Sequence, residues 1–539
     1  MAALMLGEKS EFYNNTALYT AMSRAGIMHV VAVSGMHVAF AAGFVQLLFG
    51  KTRKSSLFCI GFIWAFAALA GMPYSAVRAA LMQTIFLLAP VLKRESSSLR
   101  ALLAAFIIIE LIWPDAILDV GFQLSFGAML GMMLFSGRLY EAFNFKNRFL
   151  QYIGGIISSS LACMVFTVPL TAWHFGCIQI LSPITNVLVL FAVSLCFCGG
   201  YISVFSYMLS PILGRIIAVP VALVAKYIFA AAELISRIPF AALYTKGTYA
   251  LAWVALVYAL VIIARFSALS PKGRLALPLA LSCVSLCALL LCVKESYEGY
   301  EGVFSVIDVG QGQCISVMSG DKTLLVDCGG DNSAGSEAGS YLLSCGRAEV
   351  DLLVLTHLHT DHINGLEALL EYVDVKEIVL PEYGDNNQYY LEDIRQLSAS
   401  KGIILSFVEK DSYAQIGNIH CLLYAPEQGN EVNEACLITR ISIGEYDLLI
   451  TGDSGSSTEL EFIEKYDSSG IEFLIAGHHG SKKSSCREFL QSIEPDAVII
   501  STGENTYGHP TQETLNRIKA INCALYRTDL NGTVEIRIN

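Results

Sequence analysis

Apolar and polar positions divide this chain near residue 295. Before it, apolar stretches follow one another at about 27–49, 57–71, 75–92, 101–113, 120–136, 152–173, 183–209, 212–236, 249–266 and 275–293. Most approach the roughly 20 apolar residues a helix needs to cross a bilayer, and 101–113 is short enough to be re-entrant. They offer too few polar positions to give a soluble helix its wet face. Residues 1–25 are polar, amphipathic at most, and lack the apolar core of a cleavable leader. After residue 299 the pattern changes to short β-rich apolar runs, glycine turns and intervening helical spacing. The pattern predicts an N-terminal polar segment over 1–25, a polytopic α-helical membrane domain of nine or ten spans over 26–294, and an α/β domain over 299–539.

Composition and charge sharpen the division. Hydrophobic residues make up 54% of the 539 and charged residues 15%, and the mean hydropathy is +0.54, well outside the soluble-enzyme range. Residues 1–294 carry 20 Lys and Arg against 8 Asp and Glu, a net +12, whereas residues 295–539 carry 15 against 39, a net −24. The basic joints Lys51 to Lys54, Lys93-Arg94 with Arg100, Arg138 to Arg148, and Lys272 to Arg274 alternate along the ten stretches. The positive-inside rule makes those joints cytoplasmic, so the tenth span carries the acidic domain out of the cytoplasm of a multi-pass protein of the cytoplasmic membrane. The fifteen cysteines form no C-x-x-C pair, and the seven in the acidic part cannot all pair with one another. Mostly buried free thiols are expected.

The densest chemistry is Thr356-His357-Leu358-His359-Thr360-Asp361-His362, directly after the strand-like run Val350 to Leu355. Three of the chain's ten histidines fall within six residues there. Imidazole and carboxylate suit zinc, manganese or iron, and the carboxyl end of a strand is where α/β sheets place sites. The spacing lets His357 and His359 face one ion and Asp361 and His362 a second. Further polar groups also follow strand-like runs. Asp327 precedes Gly329-Gly330 and either orients a ligand histidine or caps the turn. Asp453 precedes a glycine-flanked turn. In Gly477-His478-His479-Gly480-Ser481-Lys482, His478 is the expected metal ligand, and His479 a ligand or a substrate contact. Ser481 and Lys482 suit a phosphate or stand in solvent. His509, in Asn505-Thr506-Tyr507-Gly508-His509-Pro510, is an acid for a leaving oxygen, a ligand, or a cap for the following helix.

The H-x-H-x-D-H pattern resembles the metallo-β-lactamase superfamily, as does Val309-Gly310-Gln311-Gly312-Gln313, with Gln313 where an acid is more usual. The resemblance implies a four-layer αββα sandwich with one or two divalent ions, zinc or manganese, at one sheet edge, bridged by Asp453. Relatives place another histidine between the cluster and that aspartate. Only His420 stands in this interval, inside a strand, while Asn433 and Cys436 lie nearer the expected position. The first ion is therefore expected to be weakly held, or absent.

Polar residues also interrupt the apolar half, where they are costly and usually face a cavity or join helices. His37, Arg78, Asp119 and Gln123 are the candidates for a polar channel lining. VSGMHV (33–38), RAAL (78–81), DVGFQLSF (119–126) and HFGCIQILSPITNVL (174–188) resemble the ComEC family of competence membrane channels. That resemblance implies a channel that imports one DNA strand during natural transformation, with Asp361, His479 and His509 as catalytic residues of a metal-dependent nuclease that degrades the other. It also implies a DNA receptor and a cytoplasmic motor ATPase as partners, there being no P-loop here, and a homo-oligomer is a further expectation. Family members carry more spans and a small OB-like domain ahead of SGMHV, where this sequence has only a short segment, so either a misassigned start or a short form is expected. The competing reading is a membrane-anchored metallo-hydrolase for a small ester or nucleotide. The acidic balance of the domain favours it, because nucleic-acid surfaces are normally basic; Lys482, Lys483 and Arg487 are the local exception.

Overall fold

The computed structural model describes residues 15–31, 35–50, 52–89, 97–143, 145–238, 240–245, 247–267, 273–382, 388–426 and 436–539. Ser34 and Asn433 lie outside them. The chain forms two compact units, Met1–Ser282 and Cys283–Asn539.

The first unit is helical: α1 Thr16–Arg24, α2 Gly35–Phe49, α3 Arg53–Leu69, α4 Tyr74–Leu88, α5 Ser98–Ile112, α6 Val120–Phe143, α7 Arg148–Phe175, α8 Ser182–Leu209, α9 Pro211–Ser236 and α10 Gly247–Phe266, with α11 Gly273–Glu298 running from it. Each expected apolar stretch coincides with a helix. Among the described residues five helices are long and apolar enough to cross a membrane: α6, α7, α8, α9 and Leu277–Glu298 of α11. Helices α2 to α5 have 15, 17, 15 and 15 residues, and 15 residues rise only about 22 Å against a hydrocarbon core of about 30 Å. Apolarity located the helices, and polar residues extend some of them beyond the apolar stretch. Thr52, for instance, starts α3 with a capping box, its Oγ1 accepting from Ser55 N at 3.1 Å while Ser55 Oγ accepts from Thr52 N at 3.1 Å.

Apolar side chains on the outside suit a bilayer: Leu209 is 87% exposed and Phe266 84%. Inside, Met22 and Ala25 from the N-terminal segment pack with Val189, Val193, Ile228 and Ala232 of α8 and α9, so α1 belongs to the bundle. Helices α6 and α7 meet at Gly131, where a methyl group would collide with the Ala162 carbonyl.

The second unit is a sandwich of two seven-stranded sheets. In chain order the strands are β1 Gly302–Val306, β2 Ile315–Ser319, β3 Lys322–Val326, β4 Leu352–Val354, β5 Glu377–Pro381, β6 Ile404–Val408, β7 Ser412–Ile416, β8 Ile419–Tyr424, β9 Ile438–Ile443, β10 Tyr446–Ile450, β11 Phe473–Ile475, β12 Ala497–Ile500, β13 Ala524–Arg527 and β14 Val534–Ile538. One sheet has the order β6-β5-β4-β3-β2-β1-β14 and the other runs β7 to β13 in sequence. Each sheet is antiparallel on one side and parallel on the other. Alternate residues face inward: Phe304, Ile315, Leu324 and Val354 meet Ile419, Ile441, Leu448 and Ile475 between the sheets. The other face of the second sheet, with Leu449, Leu474 and Val498, is covered by Phe462, Phe489, Leu490 and Ile518 from helices Ser456–Lys465, Arg487–Ile493 and Gln512–Ala520. This is the αββα architecture. The unit begins within α11 because Val293 and Tyr297 of that helix pack on Val303, Met318 and Cys345. All fifteen cysteines are free, and Cys314, Cys328, Cys345, Cys421 and Cys436 are buried.

Candidate metal centre

Five strands deliver the site from their carboxyl ends. Asp327 follows β3, the His357 to His362 run follows β4, Asp453 follows β10, His478 and His479 follow β11, and the loop to His509 follows β12. The turn chemistry is specific. Asp327, His478 and His479 have φ of 57°, 49° and 52°, a region costly for non-glycine residues and concentrated at functional sites. Gly329 passes so close to the backbone of Asp361 and His362 that a methyl group would overlap both, which explains the Gly-Gly pair after Asp327.

Two donor groups share Asp453: His357 and His359 on one side, Asp361, His362 and His479 on the other, with donor atoms within 4.8 Å of one another in each group. His362 Nε2 lies 3.1 Å from Asp453 Oδ1, His357 Nε2 3.7 Å from Oδ2, and His479 Nε2 3.3 Å from Asp361 Oδ2. His357 Nε2 and His479 Nε2 are buried and make no hydrogen bond. Unsatisfied buried imidazole nitrogens facing carboxylates are costly unless something occupies the space between them. The donor chemistry therefore fits divalent zinc, manganese or iron. His478 lies beside these groups, its Nε2 3.6 Å from Asp453 Oδ2, while His479, the ligand or substrate contact, falls within one of them. The left-handed turn at both residues swings His479 inward and leaves His478 half-buried at the rim.

Supporting groups hold these side chains. The Asp327 carboxylate accepts from Thr356 N (2.7 Å), Thr356 Oγ1 (2.8 Å), Gln313 Nε2 (2.8 Å) and His362 Nδ1 (2.7 Å). Gln313 is neutral because its partner is already a carboxylate. His479 Nδ1 donates to the Ser501 carbonyl at 2.9 Å, leaving Nε2 as the bare nitrogen. Cys436 is one of the two residues that lie near the position of the missing histidine. Its Sγ lies 3.6 Å from His357 Nδ1, the nitrogen away from Asp453, and accepts from Asp453 N at 3.3 Å. It braces a ligand from behind. His420 is exposed on β8. The Ser501 carbonyl carried no signal of its own in the sequence, because it matters only through a partner distant in the chain.

Electrostatics follow from burial and pairing. Burial, then His362, push His357 well below the ordinary histidine value. Burial also opposes charge on His362, but flanking Asp453 and Asp327 outweigh it and hold the ring well above that value. Burial opposes the charge on Asp361 too, yet the closeness of His479 and His362 brings its carboxyl down to about 2. Burial, then Asp453 and Asp327, push the Cys436 thiol up, so it stays protonated. His509 is lowered by burial, then by His478 and His479; its ring lies 5.8 Å from that of His478. Ser481 is buried and accepts from Lys483 N at 3.3 Å, turned into its own loop, while Lys482 is exposed.

In the helical unit, Arg78 donates to Ser125 Oγ at 2.8 Å and its Nη1 lies 3.5 Å from Met82 Sδ. Asp119 caps α6 by accepting from Phe122 N at 2.7 Å, and Gln123 Oε1 lies 3.2 Å from His174 Nε2. His37 is buried, its ring 5.4 Å from Phe197. Arg78 and Asp119 thus take separate partners. The four motif segments nonetheless converge: Ser125 meets Arg78, Gln123 meets His174, and Arg78 Nη2 fills the space in front of Gly35.

Comparison with known proteins accounts for both units. Residues 4–271 match the competence-protein family and residues 307–504 the metallo-β-lactamase superfamily. ComE operon protein 3 of Bacillus subtilis is 28% identical over 561 residues, covering 99% of this chain and 70% of its own length. The chain carries a competence-protein domain followed by a metallo-β-lactamase domain. Its relatives include competence protein ComA of Neisseria gonorrhoeae, 27% identical across 99% of this chain and 74% of its own, and recombination protein 2 of Haemophilus influenzae, 24% identical across 99% and 71%. This chain joins an apolar helical part, a multi-pass membrane unit by its five long apolar helices, to a domain of the metal-dependent hydrolase class.

Proposed function

We propose that this protein takes up DNA for natural transformation, importing a single strand across the cytoplasmic membrane while its metallo-β-lactamase-type domain hydrolyses phosphodiester bonds of the other. The observation that carries this reading is the pair of donor groups meeting at Asp453, on a chain whose other half matches a competence family. In this reading residues 26–294 form the channel domain, with His37, Arg78, Asp119 and Gln123 near its path, and residues 299–539 form the hydrolase. The alternation of basic joints supports an extracytoplasmic hydrolase. A DNA receptor and a cytoplasmic motor ATPase are the partners this role requires, and the channel is a candidate homo-oligomer.

Zinc or manganese would be held by His357, His359 and Asp453, and by Asp361, His362, His479 and Asp453. Such ions acidify bound water and neutralise charge on a transferring phosphoryl group. The protein's own residues orient and move protons. Asp327 fixes the His362 ring, the Ser501 carbonyl fixes His479, and Asp453 stands between the two groups. Water attacks phosphorus and gives up a proton to solvent, the bond to the leaving oxygen breaks, and that oxygen takes a proton from His509, which solvent restores. Because His509 sits below the ordinary histidine value, this role favours the acid side of neutrality. Lys482 stands exposed beside the site for a phosphate.

The net −24 of residues 295–539 favours the second reading, hydrolysis of a small ester or nucleotide. One experiment separates them: the purified full chain with manganese or zinc, offered labelled single- and double-stranded DNA beside Asp361→Ala and Asp453→Asn. Metal-dependent cleavage lost in both variants is expected. Folded, metal-loaded protein that hydrolyses a phosphodiester nucleotide analogue but neither DNA would establish the second reading instead.

A further inference from the structure

The loop after β12 is built to hold one side chain outward. Asn505 Nδ2 donates to the His509 carbonyl (2.7 Å) and the Gly503 carbonyl (2.9 Å), and Asn505 Oδ1 accepts from His509 N (3.0 Å). Gln311 Oε1 anchors the base of the loop, accepting from Thr502 Oγ1 and Gly503 N, both at 3.2 Å. Tyr507 stands at the tip of this clamp, 75% exposed. Its ring lies nearly parallel to that of His509, centroids 6.3 Å apart and planes 19° apart. His509 in turn lies 5.8 Å from His478, whose Nε2 is 3.6 Å from Asp453 Oδ2. Aromatic rings therefore climb from the metal centre to solvent in two steps, and the outermost shows a free face.

A single exposed aromatic is ordinary on protein surfaces. A clamped one, stacked on a histidine at the rim of a metal centre, has a more specific use. Phosphate contacts draw nucleic acid through positive charge, which this domain lacks overall. Base stacking needs no charge and accepts any base, since every base has a π-face.

We propose that Tyr507 is a stacking residue for the nucleobase next to the scissile phosphodiester, which makes the substrate class of this centre an unpaired polynucleotide strand. The proposal rests on the phosphodiesterase reading above. Asn505 is its positioning residue: the clamp keeps the ring presented, so little freedom is lost on binding. Recognition through a π-face carries little sequence preference and little salt dependence.

The test uses the full chain in detergent with manganese, and two oligomers of equal length and charge, oligothymidylate and an abasic oligomer. Tyr507→Ala is expected to raise KM for oligothymidylate by about tenfold or more, at low and high salt alike, and to leave the abasic oligomer unchanged. Tyr507→Phe keeps the parent values. An equal loss on both oligomers, or none on either, overturns the proposal. If the parent cleaves neither oligomer, the phosphodiesterase reading fails and fluorescence anisotropy with the same pair decides stacking. A parent preference for oligothymidylate that Tyr507→Ala abolishes supports it; no preference overturns it.

Discussion

Replacing Asp327 with asparagine asks whether this aspartate orients the metal centre or only caps a glycine turn. Its carboxylate is fully buried and accepts four hydrogen bonds, from Thr356 N, Thr356 Oγ1, Gln313 Nε2 and His362 Nδ1. A carboxylate only accepts, so His362 carries a proton on Nδ1 and turns Nε2 toward Asp453. Asparagine keeps the size but exchanges one acceptor for an amide donor. If its oxygen keeps the Thr356 N–H, its NH2 faces Gln313, the Thr356 hydroxyl and His362. The acceptor nearest to hand is His362 Nδ1, and using it drives the ring proton to Nε2, the atom a metal requires bare. Losing a charge-assisted hydrogen bond costs about 1.5–3 kcal/mol and stranding the Gln313 donor about 1–3 kcal/mol more. Together these match the roughly 3–5 kcal/mol typical of breaking a buried pair. Supporting groups of this kind are worth about 10- to 100-fold in metal affinity. The assay is chelator competition for manganese or zinc on the purified full chain, with thermal unfolding of the metal-free proteins beside it. The expected result is weaker metal binding together with a lowered midpoint. A variant that loses stability but keeps parent affinity would reduce Asp327 to a turn cap, and one unchanged in both would refute the network.

Two further predictions follow from the same charges. His362, held charged by Asp453 and Asp327 above its ordinary value of 6.5, must lose a proton to become a ligand. Metal binding near pH 7 should therefore release about one proton, measurable by calorimetry in buffers of different ionisation enthalpy, and Asp327→Asn should reduce that release. Glu459 is fully buried, accepts from Ser485 N at 2.9 Å, and is pushed by burial from 4.5 up to about 7. A raised carboxyl pKa means the folded state keeps a proton the unfolded chain has lost. This contribution is fully present below about pH 4.5 and is lost as pH rises through about 7, a change on the order of 3 kcal/mol. Glu459→Gln should match the parent near pH 5 and unfold at a higher midpoint than the parent near pH 8; parallel pH profiles of the two would contradict the assignment.

Much of this was legible in one dimension. The run of apolar stretches located the helices because apolar length is a local property, and the change of period after residue 299 located the sandwich. The H-x-H-x-D-H run was legible because its ligands are neighbours on one strand end. The helix ends were not: α3 and α5 start at Arg53 and Ser98, ahead of the apolar stretches 57–71 and 101–113, because polar residues form their first turns. Nor was the choice between His478 and His479, adjacent residues of one type. The left-handed turn at that strand end buries the His479 ring and leaves His478 half-buried, and the flanking Gly477 and Gly480 pack closely on Thr451 and Pro510. The role of Cys436 needed the fold as well, since its partners His357 and Asp453 are 79 and 17 residues away. Sequence by itself determined which residue types were present for the chemistry and which local elements carry them. The tertiary structure alone decided which atoms face each other, because burial, ring orientation and tautomer are set by partners that are close in space and remote along the chain.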